Sequence, residues 1–462
     1  MDGMAEEYYF LGVNIIKYGG MYLDDRTPVF SRPPGYPVFL AGVLTAWDTV
    51  ENILAPEKIR TIDDSIAVIY LSQGILLALS TAILFLWISE HFSLRNSFLT
   101  AILFGCNPYL IILIGLLHYS ILHIFSLIVS CYALSSAVST RPVLHPRLIG
   151  AGVLWGLTTL IRPVTLILPF FAVFLFLNRS RPACSTALRY TVIFTLGMLI
   201  VILPYTLRNY HLTRRIIPVN AQAGIAFWGG TVRELPRDPN HYRWWGIWYP
   251  DGQQIYSKVT GKPRYDVVTY IRDNLALEDA LKEDAIRRFL RRPQIYFYNV
   301  FQNALTITVD INSIFIKIFQ ALQTPGRTFD NRWLKIYNPQ NFAPDGMQNL
   351  FKVFFHLISL TGLFGIAWAM KDRDPFLLAP GLVFLCFLTA HSITFMDLMY
   401  YYFKLPFNFL FFGYGIHALD RYNIQLFPRQ GKLPLGLAVQ GSLAIIVTAL
   451  TANVIFGLWS GV

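Results

Sequence analysis

The sequence predicts an all-α, polytopic membrane protein with about ten transmembrane helices, an external re-entrant or interfacial first loop and a mixed external domain. Three observations predict it. Hydrophobic residues make up 54% of the 462-residue chain and charged residues only 14%, with mean hydropathy +0.46; a soluble chain carries roughly a quarter charged residues. Apolar runs near membrane-crossing length recur from Ser65 to the C-terminal end. Lys and Arg gather in alternate short loops, as they do on the cytoplasmic side of a membrane protein.

Residues 1–64 read as an external first loop, in which Pro34–Trp47 is apolar but too short to span and reads as an interfacial or re-entrant helix. Residues 65–207 form a first transmembrane module, with spans at Ser65–Ile88, Ser97–Leu113, Tyr119–Val138, Leu148–Leu160, Val164–Leu177 and Tyr190–Pro204. The pair flanking Arg162-Pro163 is short and reads as a hairpin that barely crosses. Residues 208–349 are an external domain, and residues 350–462 a second transmembrane module with spans at Leu350–Met370, Pro375–Phe395, Tyr402–His417 and Leu435–Trp459.

Orientation follows from the loop cations. Arg95; Arg141 and Arg147; Arg179, Arg181 and Arg189; Lys371 and Arg373; and Arg421, Arg429 and Lys432 occupy one set of loops, and only Arg162 and Lys404 the other. The first set is therefore cytoplasmic. Residues 1–64 then lie outside with no translocating helix before them, and an additional apolar helix upstream of Met1 is expected, the alternative being that Asn14–Trp47 inserts unaided as an atypical hairpin. In the external domain, Asn274 is expected to cap a helix that Pro293 ends, with Leu277, Leu281, Ala285 and Phe289 on one face. Glu278/Lys282, Glu283/Arg287 and Asp284/Arg288 are spaced as i,i+4 ion pairs on its other faces. Tyr242–Tyr249 is rich in Trp and suits stacking on a sugar or anchoring at the bilayer surface.

The net charge of +11 is explained in large part by the cytoplasmic loops and does not argue for a nucleic-acid partner. The four cysteines, Cys106, Cys131, Cys184 and Cys386, all avoid the long polar segment, so no disulfide scaffold or cysteine metal site is expected. Arg32 is a forked, permanent cation of the kind that suits phosphate oxygens. Pro33 and Pro34 stiffen the chain around it and bias the preceding residues away from helix. The alternative for Arg32 is an interfacial side chain snorkelling to lipid phosphate.

Several ordered motifs resemble the GT-C membrane glycosyltransferases, the superfamily of the protein O-mannosyltransferases and aminoarabinose transferases. They are Tyr8 through Asn14-Ile15-Ile16 (with Gly12 where Ala is usual), Arg32-Pro33-Pro34-Gly35-Tyr36-Pro37, Gly156 through Arg162-Pro163, Pro204 through Arg208-Asn209-Tyr210, and Tyr402-Phe403-Lys404-Leu405-Pro406. Ile217-Pro218-Val219-Asn220 and Phe227-Trp228-Gly229-Gly230 match further elements less specifically. The resemblance implies that Arg32, Arg162 and Lys404 bind the phosphate of a polyprenyl-phosphate sugar donor. It implies a catalytic carboxylate just before Tyr8; the usual spacing falls on Met4, which leaves Asp2 as first choice and Glu6 as second. Tyr8, Tyr36, His118, Ser120, Arg208 and His391 are then expected to line the acceptor or sugar pocket.

One departure stands out. The family's acidic residue in its second external loop falls on Ser120, with His118 and His123 beside it, and no carboxylate lies between Gly105 and Gly150. No metal ligand is assigned, although a divalent metal remains open. The resemblance implies an inverting enzyme of a bacterial inner or cell membrane, facing outward, whose acceptor is a glycan, lipid or protein. A catalytically degenerate structural subunit and a lipid or sugar transporter are the alternatives.

Overall fold

The structure is a computed structural model. It describes residues 3–23, 25–54, 62–140, 143–180, 184–232, 250–264, 266–309, 375–394 and 402–421, with single positions at 358, 362 and 365. Asp2, the tryptophan-rich stretch, the expected span Leu435–Trp459 and nearly all of Leu350–Met370 lie outside the described residues. Within them the chain is helical, and β pairing is limited to one isolated bridge between Tyr22 and Pro28.

Helix α1 (Gly3–Tyr18) packs on α2 (Gly35–Leu54). Gly12 stands at this contact, where a Cβ would lie 2.9 Å from the Leu40 Cβ. The close crossing explains Gly where the resemblance leads one to expect Ala. Helix α2 outruns the apolar stretch that announced it and continues to Leu54.

Three helices are long and apolar enough to cross a membrane among the described residues. They belong to α3 (Ile62–Ser89), α6 (Ser120–Ser139) and α9 (Cys184–Thr213). Leu71, Ile75, Leu79 and Leu86 on α3, and Leu188, Val192, Leu196 and Ile200 on α9, are exposed, as side chains facing acyl chains are. The expected span Ser97–Leu113 is broken into α4 (Leu94–Gly105) and α5 (Pro108–Ile114). Pro108 has no N–H to continue the ladder and starts a new helix, a position proline tolerates.

The hairpin around Arg162 is α7 (His145–Ile161), a 3₁₀ turn at Pro163–Ile167, and α8 (Leu168–Ser180). Helix α9 runs past Pro204, where the sequence had ended it, because Arg208 and Asn209 anchor its last turns. Asn209 donates to the Ile217 and Val219 carbonyls, and Arg208 to that of Met21.

The polar segment folds as α10 (Ala223–Thr231), α11 (Pro250–Thr260), α12 (Val267–Arg272), α13 (Asn274–Arg291) and α14 (Pro293–Val309). The mixed structure expected there is helical throughout its described part. Its core of Trp228, Tyr256, Tyr270, Leu277 and Leu281 includes Leu11, Met21 and Val29 from the N-terminal segment, so the first loop and the polar segment share one apolar interior. Two helices complete the described bundle, α15 (Pro375–Ile393) and α16 (Leu405–Arg421).

Helix α14 joins the polar segment to the bundle through a pair of amides one turn apart. Asn299 Nδ2 donates to the carbonyls of Gly230 and Val232 after α10, at 3.0 and 3.0 Å. Asn303 Nδ2 donates to those of Ser392 and Thr394 at the end of α15, at 3.0 and 3.1 Å. The last carbonyls of a helix have no partner inside it, and these side chains supply one.

Helix α13 has the expected buried face of Leu277, Leu281 and Ala285, but not the expected cap. Asp273 occupies the N-cap position, and Asn274 Nδ2 donates to the Tyr270 hydroxyl. Asp284 pairs with Arg288 as the spacing suggested. Glu278 instead turns inward and accepts from the Gly224 and Ile225 N–H groups at the start of α10, a favourable place for a carboxylate. Burial pushes the Glu278 carboxyl up to about 7, while the two N–H groups pull it the other way. A carboxyl whose folded pKa is raised binds its proton more tightly in the fold. Its stabilisation is present below the unfolded value of 4.5 and is lost as pH rises through about 7. Glu278→Gln is expected to flatten that pH dependence. The check is the apparent melting temperature of the detergent-solubilised protein, which should fall less between about pH 5 and pH 8 than in the wild type.

Candidate active site

Helix α1 buries a stripe at helical spacing, formed by Tyr8, Leu11 and Asn14, and Glu7 belongs to it. After α1 the chain turns back on itself. Asn14 Nδ2 donates to the Tyr22 carbonyl, and the Val29 N–H to that of Met21, so residue 32 returns beside the start of α1. Pro33 and Pro34 hold the chain out of helix until Gly35, and Arg32 faces inward.

Arg32 donates to Glu7 Oε2 through Nε at 2.8 Å and Nη2 at 2.7 Å, both side chains nearly inaccessible to solvent. Burial works against the Arg32 charge and Glu7 outweighs it, so the guanidinium stays ionised. The other carboxylate oxygen, Glu7 Oε1, is buried and accepts no hydrogen bond from the described residues. Sequence reasoning chose Asp2 and Glu6 and passed over Glu7. Asp2 and the Glu6 side chain lie outside the described residues. The signal for Glu7 was present in the phase of α1, which places it with Leu11 and Asn14.

A second cluster surrounds Arg162. This residue is extended (φ −149°, ψ 115°) between α7 and the 3₁₀ turn, the conformation that a following proline imposes. Its Nη1 donates to the Tyr402 hydroxyl at 2.9 Å, and its Nη2 lies 3.2 Å from His391 Nε2. A guanidinium has no acceptor, so His391 Nε2 accepts and the ring proton sits on Nδ1. Tyr402 likewise accepts from Arg162, and its hydroxyl is hydrogen-bonded to His123 Nδ1, 2.9 Å away. The other ring nitrogen, His123 Nε2, is buried with no hydrogen-bond partner among the described residues. His118 pairs with Ser120 through Nδ1 and Oγ. Burial, then the nearby Arg162 and Arg32 charges, push the His118 pKa down to about 3 and keep this ring neutral.

The clusters adjoin through aromatic rings. Arg32 lies over the Tyr8 ring, Tyr8 packs edge-on against Tyr119 with centroids 5.8 Å apart, and Arg162 lies over Tyr119. The backbones touch as well: a Cβ on Gly35 would lie 2.8 Å from the Ile161 nitrogen, so any larger residue there would push the two arginine segments apart. Tyr36 donates to Gln73 Oε1, and Gln73 Nε2 donates to the carbonyls of Ile114 and Leu116, fixing the strand of chain that carries His118. Lys404 is buried two residues after Tyr402.

The structure thus brings Arg32, Arg162, Tyr8, Tyr36, His118, Ser120, His391 and Lys404 into the buried interior, and adds Glu7, Tyr119, His123 and Tyr402 to them. Arg208 is placed elsewhere. It donates to Asn209 Oδ1 and the Met21 carbonyl and lies over the rings of Tyr22, Phe30 and Tyr205, clasping α9 to the first loop. Among the described residues, no group of three or more His, Cys, Asp or Glu side chains is arranged to hold a metal ion. The arrangement is a buried, cationic, hydrogen-bond-donating site with one open carboxylate oxygen, suited to an anionic ester and a hydroxyl that must lose its proton.

No curated protein matches the chain in sequence. Among solved structures, the oligosaccharyltransferase of Archaeoglobus fulgidus, crystallised with zinc and sulfate, is similar at TM-score 0.48 and 13% identity over 97% of this chain and 49% of that one. The chain therefore spans about half the length of that relative. ArnT of Cupriavidus metallidurans, bound to undecaprenyl phosphate, is similar at TM-score 0.35 and 12% identity over 94% of this chain and 79% of that one. A family model, the dolichyl-phosphate-mannose-protein mannosyltransferases, matches residues 58–207, about a third of the chain, including the Arg162-Pro163 hairpin and ending one residue before Arg208. Residues 58–207 of this helical membrane protein are therefore similar in sequence to the dolichyl-phosphate-mannose-protein mannosyltransferases.

Proposed function

We propose that this protein is a glycosyltransferase that moves a sugar from a polyprenyl-phosphate donor to an acceptor at the extracytoplasmic face of a bacterial inner membrane. The observation that carries this reading is the buried Glu7–Arg32 pair with its open Glu7 Oε1, set beside the Arg162 cluster. In this reading Arg32 and Arg162, with Lys404, bind the phosphate that links lipid to sugar. Glu7 is the base, in the role that the sequence offered to Asp2 or Glu6.

The chemistry is a single displacement. Glu7 Oε1 takes the proton of an acceptor hydroxyl. The acceptor oxygen bonds to the anomeric carbon as the bond from that carbon to the phosphate oxygen breaks. The electron pair leaves with the polyprenyl phosphate, whose growing charge meets guanidinium donors already in place. Attack opposite the leaving group inverts the anomeric carbon. The neutral rings of His123, His118 and His391, with Tyr36 and Ser120, offer hydrogen bonds to sugar or acceptor hydroxyls without adding a competing charge.

The experiment uses full-length protein in nanodiscs, given polyprenyl-phosphate sugars that differ in the sugar, with water-soluble and lipid acceptors. Stoichiometric release of polyprenyl phosphate with formation of an inverted glycoside is the expected result. Donor binding without turnover across every sugar and acceptor would instead identify a degenerate subunit. Movement of intact donor between leaflets would identify a transporter.

A further inference from the structure

The elbow between α13 and α14 carries an apolar surface that no described element covers. On α13, Ile286 and Leu290 stand one turn apart, 43% and 73% exposed. On α14, Phe297, Tyr298 and Phe301 are 61%, 62% and 59% exposed. The opposite faces hold the buried Leu277, Leu281 and Ala285 on α13 and Asn299 and Asn303 on α14, so the exposure is that of defined helix faces. Rings link the two arms: Phe289 lies 5.4 Å from Tyr296 and 6.2 Å from Phe297, centroid to centroid.

Arginines rim this surface. Arg287, Arg291 and Arg292 are exposed at the elbow, whereas Arg288 is turned toward Asp284 and Asp251. The tethers of α14 fix where the elbow stands. Asn303 holds the carbonyls of Ser392 and Thr394, and the Tyr296 hydroxyl donates to the Ile393 carbonyl at 2.8 Å. These carbonyls lie at the end of α15, a short apolar helix of the bundle, so the exposed rings stand beside the end of that helix. Helix α14 itself does not qualify as a membrane span.

The geometry points to a second membrane contact: the α13–α14 elbow docks on the surface of the bilayer that holds the bundle, with Leu290, Phe297, Tyr298 and Phe301 in the acyl boundary and Arg287, Arg291 and Arg292 on lipid phosphates. Apolar and aromatic side chains flanked by arginine match the layered chemistry of that surface, apolar beneath and anionic above. A soluble partner would need a matching apolar patch delivered to the lipid boundary; the bilayer is already there, continuous with the lipid-facing surface of the bundle. The inference does not depend on which reaction the protein catalyses.

Spin labels on the full-length protein test it. Cysteines are placed singly at Phe297, Phe301 and, as an exposed polar control away from the elbow, Lys262 in the loop after α11, in a background with the exposed Cys184→Ser. The protein is reconstituted in liposomes of phosphatidylcholine containing phosphatidylglycerol. Labels at 297 and 301 are expected to collide with oxygen more than with a water-soluble nickel chelate, and the label at 262 to show the reverse. Arg291→Glu with Arg292→Glu should shift the first two labels toward nickel. Labels at 297 and 301 as open to nickel as that at 262 would overturn the proposal. So would labels shielded from both reagents, which would mean that protein covers the face. Each variant is compared with wild type for a monodisperse elution profile, so a misfolded variant is recognised and replaced by Phe297→Leu labelled at 301.

Discussion

Replacing Glu7 by Gln lowers turnover by about 10²–10⁴-fold, the contribution typical of a general base, while the protein inserts and binds donor. Gln keeps the shape and an oxygen for Arg32 to donate to, but it cannot take a proton at neutral pH. The loss should therefore fall on kcat, with the donor KM nearly unchanged. Transfer from a polyprenyl-phosphate sugar by purified protein checks this. Near-normal turnover would return the role to Asp2 or Glu6, and Asn and Gln substitutions at those positions would then show the loss.

Arg32→Ala is expected to lower transfer by about a hundredfold, close to the effect of losing one donor aimed at developing charge. Arg32→Lys should recover part of it, because the charge survives and the fork does not. Stability separates catalysis from packing. Arg32→Ala strands a buried carboxylate, and breaking such a pair costs about 3–5 kcal/mol. Pairing Arg32→Met with Glu7→Gln removes both charges and should restore most of the melting temperature while leaving the protein inactive. A double variant that regained activity with its stability would mean that the pair is structural.

The legible parts of the site were those whose meaning is local. Arg32 before two prolines and Arg162 before one are recognisable because proline dictates the backbone around it, and both side chains end buried near the same aromatic rings. What the sequence concealed was partnership across long separations. Arg32 meets a residue 25 positions away, and Arg162 one 240 positions away. Nothing near Tyr402 announces a hydroxyl wedged between Arg162 and His123. Arg208 was drawn toward the site by its motif, yet its neighbours Tyr22, Phe30 and Tyr205 form a cradle that only the folded first loop assembles. The fold showed the same division. Apolar runs located the helices but ran across the local break at Pro108, while the run of α9 beyond Pro204 depended on tertiary partners.

The amide pair on α14 decides how this protein can be cut and recombined. Through Nδ2, Asn299 and Asn303 grip main-chain carbonyls, so that hold does not depend on what residues 230, 232, 392 and 394 are. Substitutions can accumulate along α10 and α15 without loosening the joint, provided the backbone path is kept. A chimaera that imports the polar segment of another protein will seat on this bundle if two asparagines arrive one turn apart on its last helix. The same chimaera with either amide lost must compensate two stranded carbonyls. The unit of exchange is thus residues 210–309 with their own fastener, and the joint can pass from one bundle to another as a part.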